Sequence, residues 1–188
     1  MSFQNLNRVR AKRIISLSPG IHLRRLQKVL GTSFSTTRYH VQGLARDCEI
    51  VCSKDGRYYR LFPTGTDDEM KVVYTAMQNK TVRRVLRALA DSNGGLGYAD
   101  LTKETLLPRS TLSEVVTNLT SVRLVARSID VGDRARYNIV DKQVVLDLLG
   151  SFERNLLSIT TDRYLDLWDM DGGAERREGG DRDERVGL

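Results

Sequence analysis

The sequence has few of the residues on which most catalytic and metal sites depend. Only two cysteines and two histidines occur among its 188 residues. It lacks a Walker phosphate-binding loop, a Gly-x-Ser-x-Gly elbow, a His-Glu-x-x-His zinc motif and a dinucleotide fingerprint. Since the carboxylates do not pair up in a recognisable setting either, we expect neither enzymatic activity nor a cofactor.

The two cysteines, Cys48 and Cys52, are spaced Cys-x-x-x-Cys. His22 and His40 would bring the number of zinc ligands to four, but neither histidine belongs to a paired ligand knuckle. A structural disulfide is also unexpected in a reducing compartment. We predict no metal site and interpret both cysteines as small buried or half-buried residues, with a redox switch as a minor alternative.

Long apolar runs are also missing. No stretch approaches the ~20 residues needed to cross a bilayer, and the basic N-terminal residues are not followed by the apolar segment of a secretory signal. We therefore expect a cytoplasmic protein that does not bind membranes. The hydrophobic content of 40% is sufficient for real cores and is compatible with one medium domain or two small ones.

Positive charge is concentrated in the first third of the chain. Residues 1–63 contain 12 Lys and Arg against 3 Asp and Glu, a net charge of +9. Residues 64–188 contain 18 against 21, a net charge of −3, which leaves +6 for the whole chain. This asymmetry indicates an anionic partner for the first part of the protein.

Two helix-turn-helix patterns occur 75 positions apart. Leu30–Leu44 reads LGTSFSTTRYHVQGL, and Thr105–Leu119 reads TLLPRSTLSEVVTNL. In the first, Thr37, Val41 and Leu44 have the spacing i, i+4, i+7, and the second has an apolar trio at the matching positions. Each pattern therefore predicts a helix with one buried face and one free face, which is the shape that fits a DNA major groove.

Local signals around these patterns predict the neighbouring elements. Gly31 is expected to provide the turn, and Ser33 and Asn79 are expected to cap the helices that follow them. The Asp55-Gly56 pair between two β-prone runs predicts a hairpin, as does Gly132-Asp133 further along. Gly150 is expected to interrupt a long apolar helix near the C-terminus.

The predicted fold class is mainly α with small β wings (α+β): two winged helix-turn-helix domains plus a long C-terminal helix. That helix has so much apolar surface that it needs a partner, which is its own domain, the helix containing Met70 or a second chain. The expected divisions are an N-terminal winged helix-turn-helix at 1–63, a linker helix at 64–78, a second winged helix-turn-helix at 79–140, a C-terminal helix for dimerisation at 141–168 and a disordered tail at 169–188.

Three segments within residues 8–63 show a family resemblance: GIHLRRLQ, SFSTTRYHVQGL and DGRYYRLFP. Their order resembles the N-terminal winged-helix module of prokaryotic, especially archaeal, transcription regulators in the broad ArsR/MarR-like group. Residues 88–128 resemble a second winged helix more weakly, so the whole chain is similar to the tandem winged-helix regulators. Many relatives have glycine in place of Cys48, at a helix end where a left-handed residue is common.

The resemblance implies a sequence-specific, double-stranded DNA-binding transcriptional regulator, and therefore a nucleoid-associated protein. In such a regulator the helix at 34–46 enters the major groove, with Arg38 reading guanine and Gln42 reading adenine, and the wing at 53–60 contacts the backbone. The DNA-binding residues implied are Ser33, Ser35, Thr36, Arg38, Tyr39, Gln42, Arg24, Arg25, Lys28, Lys54, Arg57 and Arg60.

The second pattern has a less basic free face. Its helix presents Glu114, a carboxylate that DNA phosphates would repel, although a carboxylate can also read cytosine. Its wing contains three arginines, Arg127, Arg134 and Arg136. Both DNA contact and protein contact remain open for this module. An alternative for the whole chain is a tandem winged-helix protein-interaction subunit of chromosome-condensation or transcription machinery. We expect a homodimer because the C-terminal helix has a large apolar surface. The sequence does not identify a small-molecule effector.

Overall fold

The computed structural model describes residues 3–56, 58–130 and 134–172, with side chains described for 6–56, 58–130 and 134–161. These residues form a mixed α+β fold with eight helices and two small three-stranded antiparallel sheets. The predicted mixed α+β class, mainly α with small sheets, is therefore confirmed. Most of the predicted disordered tail lies outside the described residues, but residues 169–172 belong to the last helix.

The first unit, residues 3–63, has three helices and a hairpin. Strand β3 is central in its sheet, between β1 and β2. Gly31 ends α2 in the left-handed conformation with φ 69°, which costs glycine little because it has no Cβ. The elements are α1(Phe3–Leu17), β1(Ile21–His22), α2(Leu23–Leu30), α3(Phe34–Arg46), β2(Ile50–Asp55) and β3(Tyr58–Pro63).

A helix, α4, follows the first unit. The order of elements seen in the first unit then recurs in the second unit, residues 80–139. Strand β6 is central in the second sheet, between β4 and β5. The elements are α4(Asp68–Met77), α5(Lys80–Asp91), β4(Leu96–Gly97), α6(Tyr98–Thr105), α7(Arg109–Ser121), β5(Val125–Ile129), β6(Ala135–Ile139) and α8(Lys142–Gly172).

The two units correspond at a constant offset. Strands β1 and β4, helices α2 and α6, and helices α3 and α7 begin and end 75 positions apart. The hairpins differ by one residue. In the first, Asp55 pairs with Tyr58 around a two-residue loop, whereas in the second the Asp130 amide donates to the Arg134 carbonyl around a three-residue loop. Asp55, which was predicted to form the turn with Gly56, thus belongs to the strand.

Helix α8 packs on both units. Val145, Leu149 and Phe152 belong to the core of the second unit, whereas Ile159 packs into the core of the first. Gly150 lies inside an unbroken helix, so the predicted interruption is wrong. Much of the apolar face of α8 therefore packs within the chain itself, against α5, α1 and α2. Within the part of the chain that the structure describes, no helix is long and apolar enough to span a membrane.

Both cysteines are exposed and unpaired, so the expectation of buried or half-buried residues is wrong. Cys48 occupies a turn with φ 55°, and Cys52 lies opposite Leu61 across the hairpin. Partial shielding of its sulfur still raises the pKa of the Cys52 thiol. Among the described residues, no cluster of three or more His, Cys, Asp or Glu side chains is arranged to hold a metal ion.

Candidate nucleic-acid interface

Helix α3 separates its residues into a buried face and an exposed face. Thr37, Val41 and Leu44 are buried, as the i, i+4, i+7 spacing predicts, and His40 is buried beside them. On the opposite face Ser35, Arg38, Tyr39 and Gln42 are exposed and Thr36 is half-buried. The side chains that the sequence assigns to base reading therefore share one exposed face.

Ser33 caps the N-terminus of α3, as predicted. Its hydroxyl accepts from the Thr36 amide at 3.1 Å and lies 2.9 Å from the Ser35 hydroxyl and 2.8 Å from the Thr36 hydroxyl. The helix N-terminus thus presents three clustered hydroxyls together with the positive end of the helix dipole. This combination favours phosphate oxygens.

The wing contributes its cations unequally. Lys54 is exposed at the end of β2. Arg60 is half-buried, and its guanidinium donates to Asp55 at 3.0 Å and to the Gly20 carbonyl at 3.2 Å. Arg60 therefore ties the hairpin to the turn before α2. Arg57 lies outside the described residues.

The basic residues of α2 point in different directions. Arg24 and Lys28 are exposed, whereas Arg25 is half-buried. Arg25 lies near enough to α5 that its charge helps to lower the pKa of Arg83, after burial of Arg83 itself. Arg24 and Lys28 are consequently better placed than Arg25 to meet an external phosphate.

The acidic side chains of the first unit are each paired with a cation. Arg8 of α1 forms ion pairs with Asp47 and, at 2.6 Å, with Glu49; Lys12 contacts Glu49 at 2.7 Å. Hydrogen bonds from Lys12 and Arg8 lower the pKa of Glu49, while Asp55 is paired with Arg60. The end of α3 therefore carries no unneutralised carboxylate that would repel a polyanion.

Both histidines have structural roles. The Nδ1 atom of His22 accepts from the Arg25 amide at 3.1 Å and caps α2, and burial followed by nearby cations lowers the pKa of His22. His40 is only 3% exposed and is therefore a packing residue of α3. Burial, with a smaller contribution from Arg8, lowers the pKa of His40.

The structure adds two side chains to this surface that the sequence analysis left out. Arg46 is exposed at the C-terminal end of α3, four positions after Gln42 and therefore on the same face. Phe34 is 43% exposed in the first turn. The helical period alone would have predicted the position of Arg46. The role of Arg8, which pairs with Asp47 and Glu49, was not predictable in this way because these partners lie 39 and 41 positions away in the sequence.

The equivalent face of α7 is less basic. Glu114 is exposed, as predicted, and Arg109, Ser113 and Thr117 are exposed as well. Two exposed apolar side chains belong to the same unit: Leu106, in the turn before α7, and Ile129, at the end of β5, with exposures of 77% and 65%. In the second wing Arg136 pairs with Asp130 at 3.3 Å.

In a comparison with protein families, residues 83–128 match the model of the IclR helix-turn-helix domain. This range runs from α5 through α7 into β5, so it covers the helix-turn-helix of the second unit and not α3. The match supports the broader part of the sequence-based prediction, a DNA-binding regulator of the helix-turn-helix class. Among curated proteins, no sequence matches the chain.

Solved structures that resemble the chain include three regulators. BpsR of Bordetella bronchiseptica is 23% identical, with 46% of this chain and 64% of that chain covered and a TM-score of 0.37. MepR of Staphylococcus aureus, solved with DNA, is 18% identical over 56% and 89% of the two chains, with a TM-score of 0.38. The homodimeric winged helix-turn-helix domain of Mb0332 from Mycobacterium bovis is 22% identical over 54% and 93%, with a TM-score of 0.38. The chain thus spans less than two thirds of the length of BpsR.

Proposed function

We propose that the chain is a sequence-specific transcriptional regulator that binds double-stranded DNA through its first unit. Helix α3 enters the major groove, and the wing at 53–60 lies along the backbone. The observation that carries this proposal is the composition of the exposed face of α3, where Arg38, Tyr39 and Gln42 adjoin the hydroxyl cluster around Ser33. Arg and Gln are the side chains that pair bidentately with guanine and adenine in the major groove.

Electrostatics favour the first unit as the DNA-binding part. It has an excess of nine cations over anions, and its acidic side chains are paired with Arg8, Lys12 and Arg60. Arg24 and Lys28 extend the positive surface from α2. A basic surface that coincides with a polar helix face is the usual footprint of a DNA-binding protein.

We infer that the second unit is another winged helix-turn-helix, which makes the chain a tandem regulator. Its elements repeat those of the first unit at the offset of 75 positions, and the family match falls on it. The exposed Glu114 and the weaker positive charge of α7 favour a supporting role on DNA. Leu106 and Ile129 instead favour the alternative, contact with a protein partner, since exposed apolar side chains often mark such surfaces.

We also propose that the regulator acts as a homodimer on inverted repeats. Leu6 and Val9 on α1 and Leu157 on α8 are exposed apolar side chains available for a second copy. A two-fold symmetric dimer would place two α3 helices in major grooves about one helical turn, ~34–36 Å, apart. Sedimentation of the purified chain with and without DNA tests this arrangement.

Selection of bound duplexes from a random library with the purified full chain tests the proposed function. We expect an enriched inverted repeat whose binding weakens steeply as salt concentration rises. Failure to retard any duplex at low salt would refute the proposal. A protein recovered in fixed stoichiometry after nuclease treatment and high salt would favour the interaction-subunit alternative instead.

A further inference from the structure

Exposed aromatic side chains are concentrated in the first unit. Among the side chains that the structure describes, four aromatic ones are exposed, and all four precede Pro63. Aromatic rings contribute to stability mainly where they are buried, so a group of exposed rings on a small basic unit indicates a surface that contacts a partner. The four are Phe34 and Tyr39 on α3 and Tyr58 and Tyr59 on the wing.

The second unit shows that the fold does not require these rings. Because the two units repeat the same elements, each exposed aromatic residue has a counterpart, and none of the counterparts is aromatic. They are Arg109 and Glu114 on α7, and Arg134 and Ala135 on the second hairpin, whose loop is one residue longer. The rings of the first unit are therefore not needed for folding.

The two wing tyrosines lie on opposite faces of the hairpin, because neighbouring residues of a strand alternate. Tyr59 pairs directly with Lys54, and two positions further along the same face lies Leu61, a core residue of the first unit. Tyr59 and Lys54 therefore extend the face of the sheet against which the helices pack. Tyr58 lies on the other face, where its ring is 5.4 Å from that of His22.

The ring of Tyr59 is accessible to a partner. It is 57% exposed, and in the described part of the chain it takes part in no hydrogen bond or ring contact. Lys54 beside it has no ion-pair partner among the described residues. An aromatic ring on a sheet face next to a cation suits single-stranded nucleic acid, since a base stacks on the ring and a phosphate contacts the cation.

Intact duplex DNA does not account for Tyr59 in the way that it accounts for the rings on α3. Phe34 and Tyr39 would meet thymine methyl groups, which are exposed in the major groove. The wing lies outside the groove that α3 occupies, and the faces of paired bases are covered by their neighbours in the stack. An unpaired base exposes its face, so locally open DNA is the partner that suits Tyr59.

We propose that the first wing binds an unpaired base of DNA, which stacks on Tyr59 while an adjacent phosphate contacts Lys54. The inference rests on the proposed function, since it assigns to the wing a second contact on the DNA that α3 holds. The protein thus binds a duplex through α3 and an open segment beside it through the wing. It therefore prefers DNA whose strands are already separated or separate easily.

Fluorescence anisotropy of the full chain with three labelled DNAs tests the proposal. The first is a duplex of two helical turns, the second is the same duplex with a central run of unpaired thymines, and the third has abasic nucleotides in place of those thymines. We expect the thymine bubble to bind at least roughly fivefold more tightly than the other two, as stacking of one base on an aromatic ring requires. Equal affinity for the intact duplex would refute the proposal. Equal affinity for the abasic bubble would attribute the preference to flexible DNA and would overturn stacking.

Three variants locate the contact, and circular dichroism checks that each one folds. Tyr59→Leu is expected to lose the preference for the thymine bubble, whereas Tyr59→Phe keeps it because stacking needs the ring and not the hydroxyl. Tyr58→Leu makes the same change on the opposite face and should keep the preference. Retention in Tyr59→Leu, or an equal loss in Tyr58→Leu, would contradict the assignment to Tyr59, and a loss in Tyr59→Phe would contradict stacking.

The same measurements separate this inference from the proposed function. Sequence-specific duplex binding without a preference for the thymine bubble would refute the inference alone. Binding of the thymine bubble by a chain that retards no intact duplex would refute the proposed function alone.

Discussion

Cys48 and Arg123 lie 75 positions apart and adopt the same left-handed backbone conformation, with φ of 55° and 58°. Each amide donates to the carbonyl three residues earlier, Ala45 at 3.2 Å and Thr120 at 3.1 Å. The following amides, of Glu49 and Leu124, also donate to carbonyls five residues earlier. The chain therefore ends α3 and α7 with one backbone turn, built twice from non-glycine residues.

Replacing Cys48 with glycine is expected to stabilise the first unit. A left-handed conformation costs a non-glycine residue roughly 1–2 kcal/mol, whereas the added freedom of glycine in the unfolded chain costs about 0.5–1 kcal/mol. The net gain in the free energy of unfolding is about 0.5–1 kcal/mol, measurable by urea denaturation. Cys48→Ala keeps the Cβ and serves as the control; an equal gain in that variant would contradict the backbone explanation.

Gly20→Ala is expected to loosen the junction between the first unit and α4. Gly20 has φ 79°, and an added Cβ would lie 3.2 Å from backbone atoms of Tyr74 and Thr75. Gly31, with φ 69°, faces open space, so Gly31→Ala imposes the backbone strain of about 1–2 kcal/mol without the contact. Thermal denaturation should show a larger loss of stability for Gly20→Ala than for Gly31→Ala. Equal losses would mean that the contact with α4 does not matter.

The same junction contains a buried hydrogen-bond anchor. The side-chain nitrogen of Gln78 donates to the Pro19 carbonyl at 2.7 Å and to the Ser18 hydroxyl at 3.0 Å. These hydrogen bonds attach the turn before α2 to the C-terminal end of α4. The close approach at Gly20 is thus part of a defined contact between consecutive segments.

Stability is expected to fall as the pH drops below about 6.5, the ordinary pKa of histidine. His22 and His40 both have lowered pKa values in the folded chain, so the unfolded chain takes up protons first. The loss of stability continues until the pH reaches the native pKa values, because the unfolded state binds more protons throughout that window. Urea denaturation at several pH values measures it.

His40→Val isolates one part of this dependence. In the described part of the chain, Nε2 of His40 is buried without a hydrogen-bond partner, and the second unit has Val115 at the equivalent position. The variant is expected to be more stable at neutral pH by about 1–3 kcal/mol, the usual cost of a buried unsatisfied group. It should also lose less stability on acidification than wild type. An unchanged pH dependence would exclude His40 as a contributor.

Arg38→Ala is expected to weaken binding to the selected duplex and to relax the preference at one base pair. A bidentate contact to guanine contributes about 1–3 kcal/mol of discrimination, equivalent to a loss of roughly 5–150-fold. Fluorescence anisotropy with single-base variants of the duplex measures both effects. Arg84→Ala removes an exposed arginine on α5 and should change neither. Wild-type specificity in Arg38→Ala would exclude α3 as the reading helix.

Lys54→Ala is expected to weaken binding to all duplexes alike. Each phosphate contact contributes about 0.9 to the slope of log affinity against log salt, so the variant should lose about one unit of slope. Arg57→Ala should behave in the same way if the whole wing lies along the backbone. Lys80→Ala is the control for charge alone, and an equal loss of slope there would contradict a specific role for the wing.

Local patterns predicted most of the fold. The bounds of α3 and α7 follow from apolar spacing, from the Ser33 cap and from breakers such as Gly31, which act over a few residues. Apolar periodicity also showed the buried and exposed faces of α3. It did not show that Arg60 is held by Asp55 and Gly20, because pairing across a hairpin depends on strand register and on a turn 40 positions away.

Features that depend on distant contacts were not predictable in the same way. The apolar surface of α8 indicated a partner without saying which, since Ile159 and Phe152 pack into cores built by different parts of the chain. A cleft beside Lys54 is lined by residues of β2, β3, α4, α5 and α7, and it exists only once these elements meet on folding. Gly150 was misjudged because its helix is supported by packing on both sides, which outweighs the low helix propensity of glycine.

The position of Ile159 has a consequence for synthesis on the ribosome. The N-terminal unit can assemble its helices and hairpin early, but the last apolar side chain of its core is translated almost a hundred residues after Pro63. Until α8 emerges, that unit exposes an apolar gap that Ile159 later fills. Nascent chains arrested before residue 159 should therefore hold this unit in an immature, protease-sensitive form that matures only after α8 has been translated.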